Sequence, residues 1–146
     1  EQLCIALAEK VLEDNIEVVV GSITGGILLA HEVGKRLGTR AIFTERENGK
    51  MTLRRGFVIK PGERVLIVED IVTTGGSIKE VLDVVVEQGG IPVGIGMLVD
   101  RSGGKASFGE VPYKALLNLD VTTYDPSNCP LCKENIHMTK RGSRKL

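Results

Sequence analysis

The chain has 146 residues, of which 42% are hydrophobic, and its 19 basic and 19 acidic side chains give a formal net charge of zero. This size suits a single domain over residues 1–146, and the apolar content is enough for a packed core, which excludes a disordered chain. A net charge of zero gives no overall electrostatic attraction to nucleic acid or to an anionic membrane surface.

The first predicted elements are a helix, a strand and a second helix. The apolar residues that open the chain recur at helical spacing; they are Leu3, Cys4, Leu7, Ala8, Val11 and Leu12. Residues 16–20 form a predicted buried strand, and residues 21–26, GSITGG, follow it as a turn of glycines and hydroxyls. The helix predicted over residues 27–37 ends at Gly38. Taken alone, the turn can be a tight strand-to-helix connection that only needs glycine.

A charged hairpin follows the short strand predicted over residues 41–44. Asn48-Gly49 is a strong hairpin-turn signal, and Arg46 and Lys50 flank it. On charge alone, the favoured interpretation is an exposed hairpin with ordinary surface charges.

The central stretch of the chain is VLIVED, residues 65–70. Its four apolar residues are typical of a strand that is buried on both faces of a parallel sheet. Glu69 and Asp70 come at the end of this strand. Because burying two unpaired acids is costly, we expect both to face an open cleft and to hold hydroxyls, a cation, or both.

The turn after these acids offers hydroxyl groups and backbone N–H groups that no large side chain covers. It comprises Thr73, Thr74, Gly75, Gly76 and Ser77. The apolar residues that follow recur on one helical face as far as Gly89, so the turn lies at a helix N-terminus, where an anion is favoured. The sequence therefore predicts a phosphate-binding turn.

Two common phosphate motifs are excluded, since the chain has no Gly-Lys-Ser/Thr and Gly75-Gly76 does not make the dinucleotide fingerprint. An ordinary capped strand-turn-helix remains the alternative for the turn alone. The neighbouring acids favour a ligand with a diol next to a monophosphate.

A further strand, predicted over residues 93–99, ends at Asp100 and Arg101. An arginine at the carboxyl end of a sheet strand points at the same crevice as the two acids, and its planar fork suits a carboxylate. The alternative is a surface pair of Arg101 with Asp100 or a glutamate. A last strand is predicted over residues 113–119. The alternation of strands and helices predicts an α/β fold, a central parallel sheet with helices on both faces.

These motifs carry a family resemblance. VLIVEDIVTTGGS resembles the phosphoribosyl diphosphate signature of the type I phosphoribosyltransferases along its whole length. Together with TERENGKMTLRRGF and LVDRSGG, it is similar to the orotate phosphoribosyltransferases. The resemblance covers residues 16 to about 132. It implies the type I phosphoribosyltransferase fold and transfer of ribose 5-phosphate from phosphoribosyl diphosphate to orotate, in UMP biosynthesis.

The resemblance also implies a role for each candidate site residue. The first turn would grip the diphosphate, the cations of the hairpin would contact it, the two acids would hold the ribose hydroxyls, and the second turn would hold the 5′-phosphate. The residues of the first turn are Ser22, Thr24, Gly25 and Gly26, and the hairpin cations are Arg46 and Lys50. The two acids are Glu69 and Asp70. The residues of the second turn are Thr73, Thr74, Gly75, Gly76 and Ser77. Arg101 would orient the base, with Thr73 as a second base contact. The implied catalytic residues are Glu69, Asp70, Lys50 and Arg46.

The implied cofactor is Mg²⁺, held mainly through the diphosphate and the ribose hydroxyls, with Asp70 as a candidate ligand. The implied assembly is a homodimer in which the Arg46–Lys50 loop is mobile and closes over the neighbouring subunit's site. This loop has no histidine, unlike the longer loop of other members.

Members of the family usually carry an N-terminal hood segment that covers the orotate. This chain starts after it, at Glu1 rather than Met, and we expect that the missing residues belong to the native protein. Two other functions stay open. One is transfer to a purine base, against which Arg101 argues; the other is a non-catalytic regulator that binds nucleic acid, against which the neutral charge argues.

Residues from about 126 to 146 are expected to be a C-terminal extension. Cys129 and Cys132 form a single CxxC with only His137 nearby, so an unligated turn is favoured over a zinc or redox site. Three cysteines cannot make a full disulfide framework. No apolar run reaches the roughly 20 residues that a membrane span needs, and no signal peptide opens the chain. We therefore expect a cytoplasmic protein with no membrane partner.

Overall fold

Strands and helices alternate through most of the chain, as predicted. The computed structural model describes residues 1–11, 15–122 and 124–136. The elements are α1 (Gln2–Lys10), β1 (Val18–Ser22), α2 (Gly25–Leu37), β2 (Arg40–Glu47), β3 (Lys50–Leu53), β4 (Arg64–Val72), α3 (Gly76–Glu87), β5 (Ile91–Asp100), β6 (Tyr113–Asn118), a 3₁₀ turn (Pro126–Asn128) and α4 (Pro130–Lys133). Leu12, His137 and the basic tail, which the sequence analysis used, lie outside the described residues.

The strands form one six-stranded sheet in the order β3-β2-β1-β4-β5-β6. Every neighbouring pair is parallel except β2 and β3, which form an antiparallel hairpin. The chain winds outward from β1 in one direction and from β4 in the other. The boundary between β1 and β4 is therefore a topological switch point, where open α/β sheets bind their ligands.

Helices cover both faces of the sheet, which confirms the predicted fold class. On one face α1 and α2 pack on the sheet through Leu7, Leu29 and Val33. On the other face Ile78 and Val85 of α3 pack beside Phe108, which belongs to the loop between β5 and β6. Among the described residues, no helix is long and apolar enough to cross a membrane.

Four strands, β1, β2, β4 and β5, extend further toward their carboxyl ends than their apolar runs predicted. β1 continues through Ser22, which pairs with Thr44, and β4 continues through Glu69 and Asp70 to Val72. Main-chain pairing with the neighbouring strands decides where a strand ends. The polarity of the side chains therefore does not indicate the end of the strand. As a result, three residues expected in turns or at a strand end lie inside the sheet.

The predicted hairpin is present, and charged side chains brace it. Asn48 and Gly49 both adopt positive φ angles, of 51° and 84°, as a tight hairpin turn requires. Glu45 is buried and accepts two hydrogen bonds from the Arg55 guanidinium, at 2.9 and 3.2 Å. The described contacts therefore tie the segment after β3 back to β2.

Candidate active site

Two turns lie side by side at the carboxyl edge of the sheet. The first joins β1 to α2 and the second joins β4 to α3, and the two strands are direct neighbours, with Gly21 opposite Val68. This adjacency brings together the two stretches that the sequence analysis singled out for phosphate binding. A ligand that carries two phosphate groups can contact both turns at once.

The first turn is packed closely against the start of its helix. A side chain at Gly21 would overlap the Gly26 carbonyl, so glycine is required for this approach. The peptide bond between Ile23 and Thr24 is cis. Thr24 and Gly25 are exposed, whereas Ser22 and Gly26 are buried. Of the four residues predicted to grip the diphosphate, only Thr24 and Gly25 therefore present much surface to a ligand.

Glu69 is buried, with 7% of its surface exposed, which differs from the open position that we expected. One carboxylate oxygen accepts a short hydrogen bond from the Ser22 hydroxyl, and the other accepts one from the Asp70 backbone N–H at 3.1 Å. Burial raises the pKa of the Glu69 carboxyl from its ordinary 4.5 to about 7, while the Ser22 hydrogen bond opposes this shift. The burial is possible because Ser22 lies on the adjacent strand and points to the same face.

Asp70 lies on the other face of the sheet, against the start of α2. Its Oδ1 accepts a hydrogen bond from the Ile71 backbone N–H at 2.7 Å, and its side chain is half-buried. A side chain at Gly25 would overlap the Asp70 carboxylate. This acid is therefore seated at the N-terminal end of a helix, where the dipole favours a negative charge.

The second turn surrounds a small hollow. Thr73 and Thr74 are exposed on it, and Glu69 lines the same hollow. Gly75 has a φ of 78° and immediately precedes α3, a helix of 12 residues. The backbone at this helix start is accessible to an anion.

Phe108 supports the second turn from below, a contact that the sequence analysis missed. A Cβ at Gly75 would come within 2.8 Å of the Phe108 ring. The ring is buried and meets Tyr113 edge to face, with centroids 5.3 Å apart. No local sequence signal could have found this contact, because Phe108 lies in an irregular loop.

Arg101 follows β5 directly, and its backbone lies next to β4. Its backbone N–H donates to the Val72 carbonyl at 2.8 Å, which places it beside the second turn. Its side chain is exposed, and within the described residues no carboxylate lies at ion-pair distance from it. The surface pair with Asp100 is absent, because Asp100 is buried and accepts a hydrogen bond from the Ser102 N–H at 2.7 Å.

Arg46 and Lys50 contact α3 of the same chain and not the two acids of the site. Arg46 pairs with Glu80 at 2.6 Å, and Lys50 approaches Glu87 at 3.7 Å. The hydrogen bond with Glu80 holds the pKa of the Arg46 guanidinium above its ordinary value. Both cations line a groove of about 460 Å³ that Asp83 also lines. In this arrangement the hairpin cations are therefore held away from Glu69 and Asp70 by their own chain.

The few oxygen donors of the site suit a cation that is held mainly by the bound substrate and only in small part by the protein. Across residues 1–11, 15–122 and 124–136, no three His, Cys, Asp or Glu side chains gather closely enough to form a metal centre. Asp70 keeps its Oδ2 beside the exposed start of α2, so one carboxylate oxygen is available there. Mg²⁺ prefers few protein carboxylates together with phosphate oxygens and water.

A second cavity, of about 430 Å³, opens beside Asp70 on the α2 face. Cys4 of α1, Leu28 and Lys35 of α2, and Leu98 of β5 line it. Leu28 is 75% exposed. This cavity could not be predicted from the sequence, because its walls come from four separate elements.

Comparison with known proteins gives consistent matches. The family model described as a phosphoribosyl transferase domain matches residues 1–116. The orotate phosphoribosyltransferase of Desulforamulus reducens is 53% identical over 146 residues, which cover 100% of this chain and 76% of the relative. That of Caldanaerobacter subterraneus subsp. tengcongensis is 55% identical over 140 residues, covering 96% and 73%.

Solved structures share the fold at lower identity. Adenine phosphoribosyltransferase from Rhodothermus marinus superposes with a TM-score of 0.68 at 24% identity, covering 81% of this chain and 78% of that one. Orotate phosphoribosyltransferase from Aeropyrum pernix superposes with a TM-score of 0.63, also at 24% identity, covering 81% and 71%. The architecture described above is thus shared with both.

Proposed function

We propose, since the chain belongs to the orotate phosphoribosyltransferase family, that it transfers ribose 5-phosphate from phosphoribosyl diphosphate to N1 of orotate. The products are orotidine 5′-monophosphate and diphosphate, and the reaction belongs to pyrimidine biosynthesis. The observation that carries the proposal is identity above 50% over nearly the whole chain to orotate phosphoribosyltransferases. The geometry supports it, because two phosphate-binding turns flank two carboxylates.

The reaction breaks the bond between the anomeric carbon and the diphosphate and forms a bond to the base nitrogen, with inversion. As the diphosphate leaves, the sugar acquires positive charge like that of an oxocarbenium ion. The protein supplies mainly position and charge stabilisation. Glu69 and Asp70 lie near the carboxyl end of β4, so both can face a bound sugar.

The proposed role of the two acids is to hold the ribose hydroxyls. Asp70, half-exposed beside Gly25, can accept a hydrogen bond from a hydroxyl directly. Glu69 reaches the same point from the opposite face, with Ser22 fixing one of its oxygens. Carboxylates next to the ring favour the developing positive charge over the neutral sugar, which lowers the barrier.

The proposed phosphate sites are the two turns. Residues 73–77 would hold the 5′-phosphate at the start of α3, and the exposed part of the first turn, Thr24 and Gly25, would hold the diphosphate. Mg²⁺, when bound through the diphosphate and the ribose hydroxyls, would neutralise charge on the leaving group. Arg46 and Lys50 would add cationic contacts once they leave Glu80 and Glu87.

Base recognition is the proposed role of Arg101. Its exposed guanidinium has no carboxylate partner among the described residues, and the carboxylate of orotate matches its fork geometry. A purine base has no such group. The adenine enzyme that shares the fold is only 24% identical, so it bears on the fold and not on the base.

The test is an absorbance assay of orotate consumption with phosphoribosyl diphosphate and Mg²⁺, with adenine, hypoxanthine and xanthine as parallel substrates. Consumption of orotate alone is the expected result. Turnover of a purine without orotate turnover would replace the proposed substrate. Binding of phosphoribosyl diphosphate with no turnover of any base would favour a regulator on this fold.

A further inference from the structure

A pair of cysteines lies outside the site and has no part in the proposed reaction. Cys129 and Cys132 flank Pro130 and Leu131 at the start of α4, while the third cysteine, Cys4, lies on α1. All three carry free thiols. The question is what the pair can do that Cys4 cannot.

The fold of this short segment places the two cysteines across one turn of the chain. Cys129 has an extended backbone, with φ of −73° and ψ of 118°, and the chain turns into α4 directly after it. The Cys132 backbone N–H donates to the Cys129 sulfur at 3.4 Å. The pair is therefore arranged as a dithiol across one turn.

The two thiols are accessible and differ in acidity. Cys132 is exposed and Cys129 is partly exposed, so a small reagent can reach both. The backbone hydrogen bond from Cys132 lowers the pKa of the Cys129 thiol, and the hydrogen bond to Cys129 raises the pKa of the Cys132 thiol. A thiol with a lowered pKa carries more thiolate, which is the nucleophile in disulfide exchange.

A metal is a weaker explanation for the pair. A structural zinc site takes four ligands, and within the described part of the chain no third cysteine, histidine or carboxylate joins these two. Two thiols that lie across one turn, by contrast, are sufficient for disulfide chemistry.

We propose that Cys129 and Cys132 form a redox-active dithiol that is oxidised reversibly by low-molecular-weight disulfides. The Cys129 thiolate attacks the small disulfide, forming a mixed disulfide and releasing one thiolate. Cys132 then loses its proton and attacks the Cys129 sulfur, releasing the second small thiolate. The protein dithiol loses two electrons and two protons, and the small disulfide becomes two thiols.

The experiment uses the full chain with oxidised glutathione, followed by maleimide trapping and intact mass measurement. The wild-type chain should lose two hydrogen atoms, keep one maleimide-reactive thiol at Cys4, and regain the other two thiols after dithiothreitol. The Cys132→Ser variant should stop at a stable glutathione adduct on Cys129. The Cys129→Ser variant should react about tenfold more slowly, because the remaining thiol is the less acidic one.

The matched control is Cys4→Ser, which should oxidise at the wild-type rate. Three results would overturn the proposal: glutathione adducts on Cys4 as fast as on Cys129, no intramolecular disulfide in the wild-type chain, or bound zinc that keeps both thiols unreactive until a chelator is added. Folding is checked by circular dichroism for every variant, so that a loss of reactivity is not mistaken for unfolding.

Discussion

Glu69 and Asp70 are adjacent in the chain, yet their side chains point to opposite faces of the sheet. Glu69 meets Ser22 on the α3 face, and Asp70 meets the start of α2. The two carboxyl groups nevertheless interact with each other, so one sugar can contact both. This arrangement also gives the two acids different surroundings, which has consequences for stability.

We expect the Glu69→Gln variant to be more stable than the wild-type chain at pH 8. The folded state raises the pKa of Glu69 to about 7 from 4.5, so folding favours the protonated form. Stability from this residue is fully present below pH 4.5 and is lost as the pH rises to about 7, on the order of 3 kcal/mol in all. Glutamine removes that loss. Urea unfolding at pH 8 and pH 4.5 measures the free energy of unfolding of both proteins. If the variant and the wild-type chain differ by the same amount at both pH values, the prediction is wrong.

The Gly25→Ala variant should lose activity by about a hundredfold, since a Cβ there overlaps the Asp70 carboxylate and must displace it. The measurement is kcat/KM for phosphoribosyl diphosphate. The matched control is Gly94→Ala in β5, where a Cβ would meet Leu66 at an ordinary 3.6 Å. If the Gly25 variant keeps full activity while it folds normally, Asp70 is not positioned by this contact.

Arg101→Ala should raise the KM for orotate by about ten- to a hundredfold, the effect of losing charged hydrogen bonds to a carboxylate. The KM for phosphoribosyl diphosphate should change little. Arg101→Lys keeps the charge without the planar fork and should recover only part of the loss. Lys105→Ala removes another exposed cation of the same loop and serves as control. An effect confined to phosphoribosyl diphosphate would assign Arg101 to the phosphates.

Among the connections between secondary-structure elements, the loop between β5 and β6 lies next to both ends of the proposed product, the base and the 5′-phosphate. It begins at Arg101, and the Ser102 hydroxyl accepts a hydrogen bond from the Ala106 N–H at 3.0 Å. Phe108, two residues further on, contacts the second turn at Gly75. One loop therefore supports both the proposed base site and the proposed phosphate site.

Phe108→Leu should raise the KM for phosphoribosyl diphosphate about tenfold, since the smaller side chain leaves Gly75 unsupported and the turn less ordered. Initial rates over a range of both substrates measure it. Phe57→Leu is the matched control, because it breaks a different edge-to-face pair, with Phe43 at 5.0 Å. If both variants lose the same stability and neither changes the KM, then Phe108 contributes only to the core.

The elements with strong local signals could be predicted from the sequence. Gly38 ends α2 with a φ of 69°, and Asn48-Gly49 forms the hairpin turn. The buried position of Glu69 could not be predicted, because it depends on Ser22, 47 residues away in the chain. The Phe108 contact was missed for the same reason. Local patterns indicate helices, turns and candidate residues, whereas sheet order decides which residues meet.

For the molecule as a whole, the positions of Arg46 and Lys50 raise the question of a second subunit. Within their own chain these cations pair with Glu80 and Glu87. The family resemblance implies that they act on the neighbouring site of a homodimer. That implication can be tested with mixed subunits.

Mixing Lys50→Ala and Asp70→Asn subunits should restore about a quarter of the wild-type activity if the hairpin acts across the dimer. Half of the dimers are then hybrid, and each hybrid has one site with an intact Asp70 and an intact Lys50. The matched control mixes Arg101→Ala with Asp70→Asn, where both residues belong to the same site and no hybrid site is intact. Absence of rescue in the first mixture would place the hairpin in its own subunit's site.

The position of β4 between β1 and β5 affects how the newly made chain folds. Until β4 joins the sheet, β1 can pair with β2, but the other edge of β1 has no partner. That edge belongs to Val18, Val19 and Val20, which are fully buried in the finished fold, and unpaired apolar edges promote association between chains. Pairing of β4 with β1 covers the edge and also brings together the two candidate phosphate-binding turns. The chain therefore assembles these two turns and covers an apolar edge in the same event.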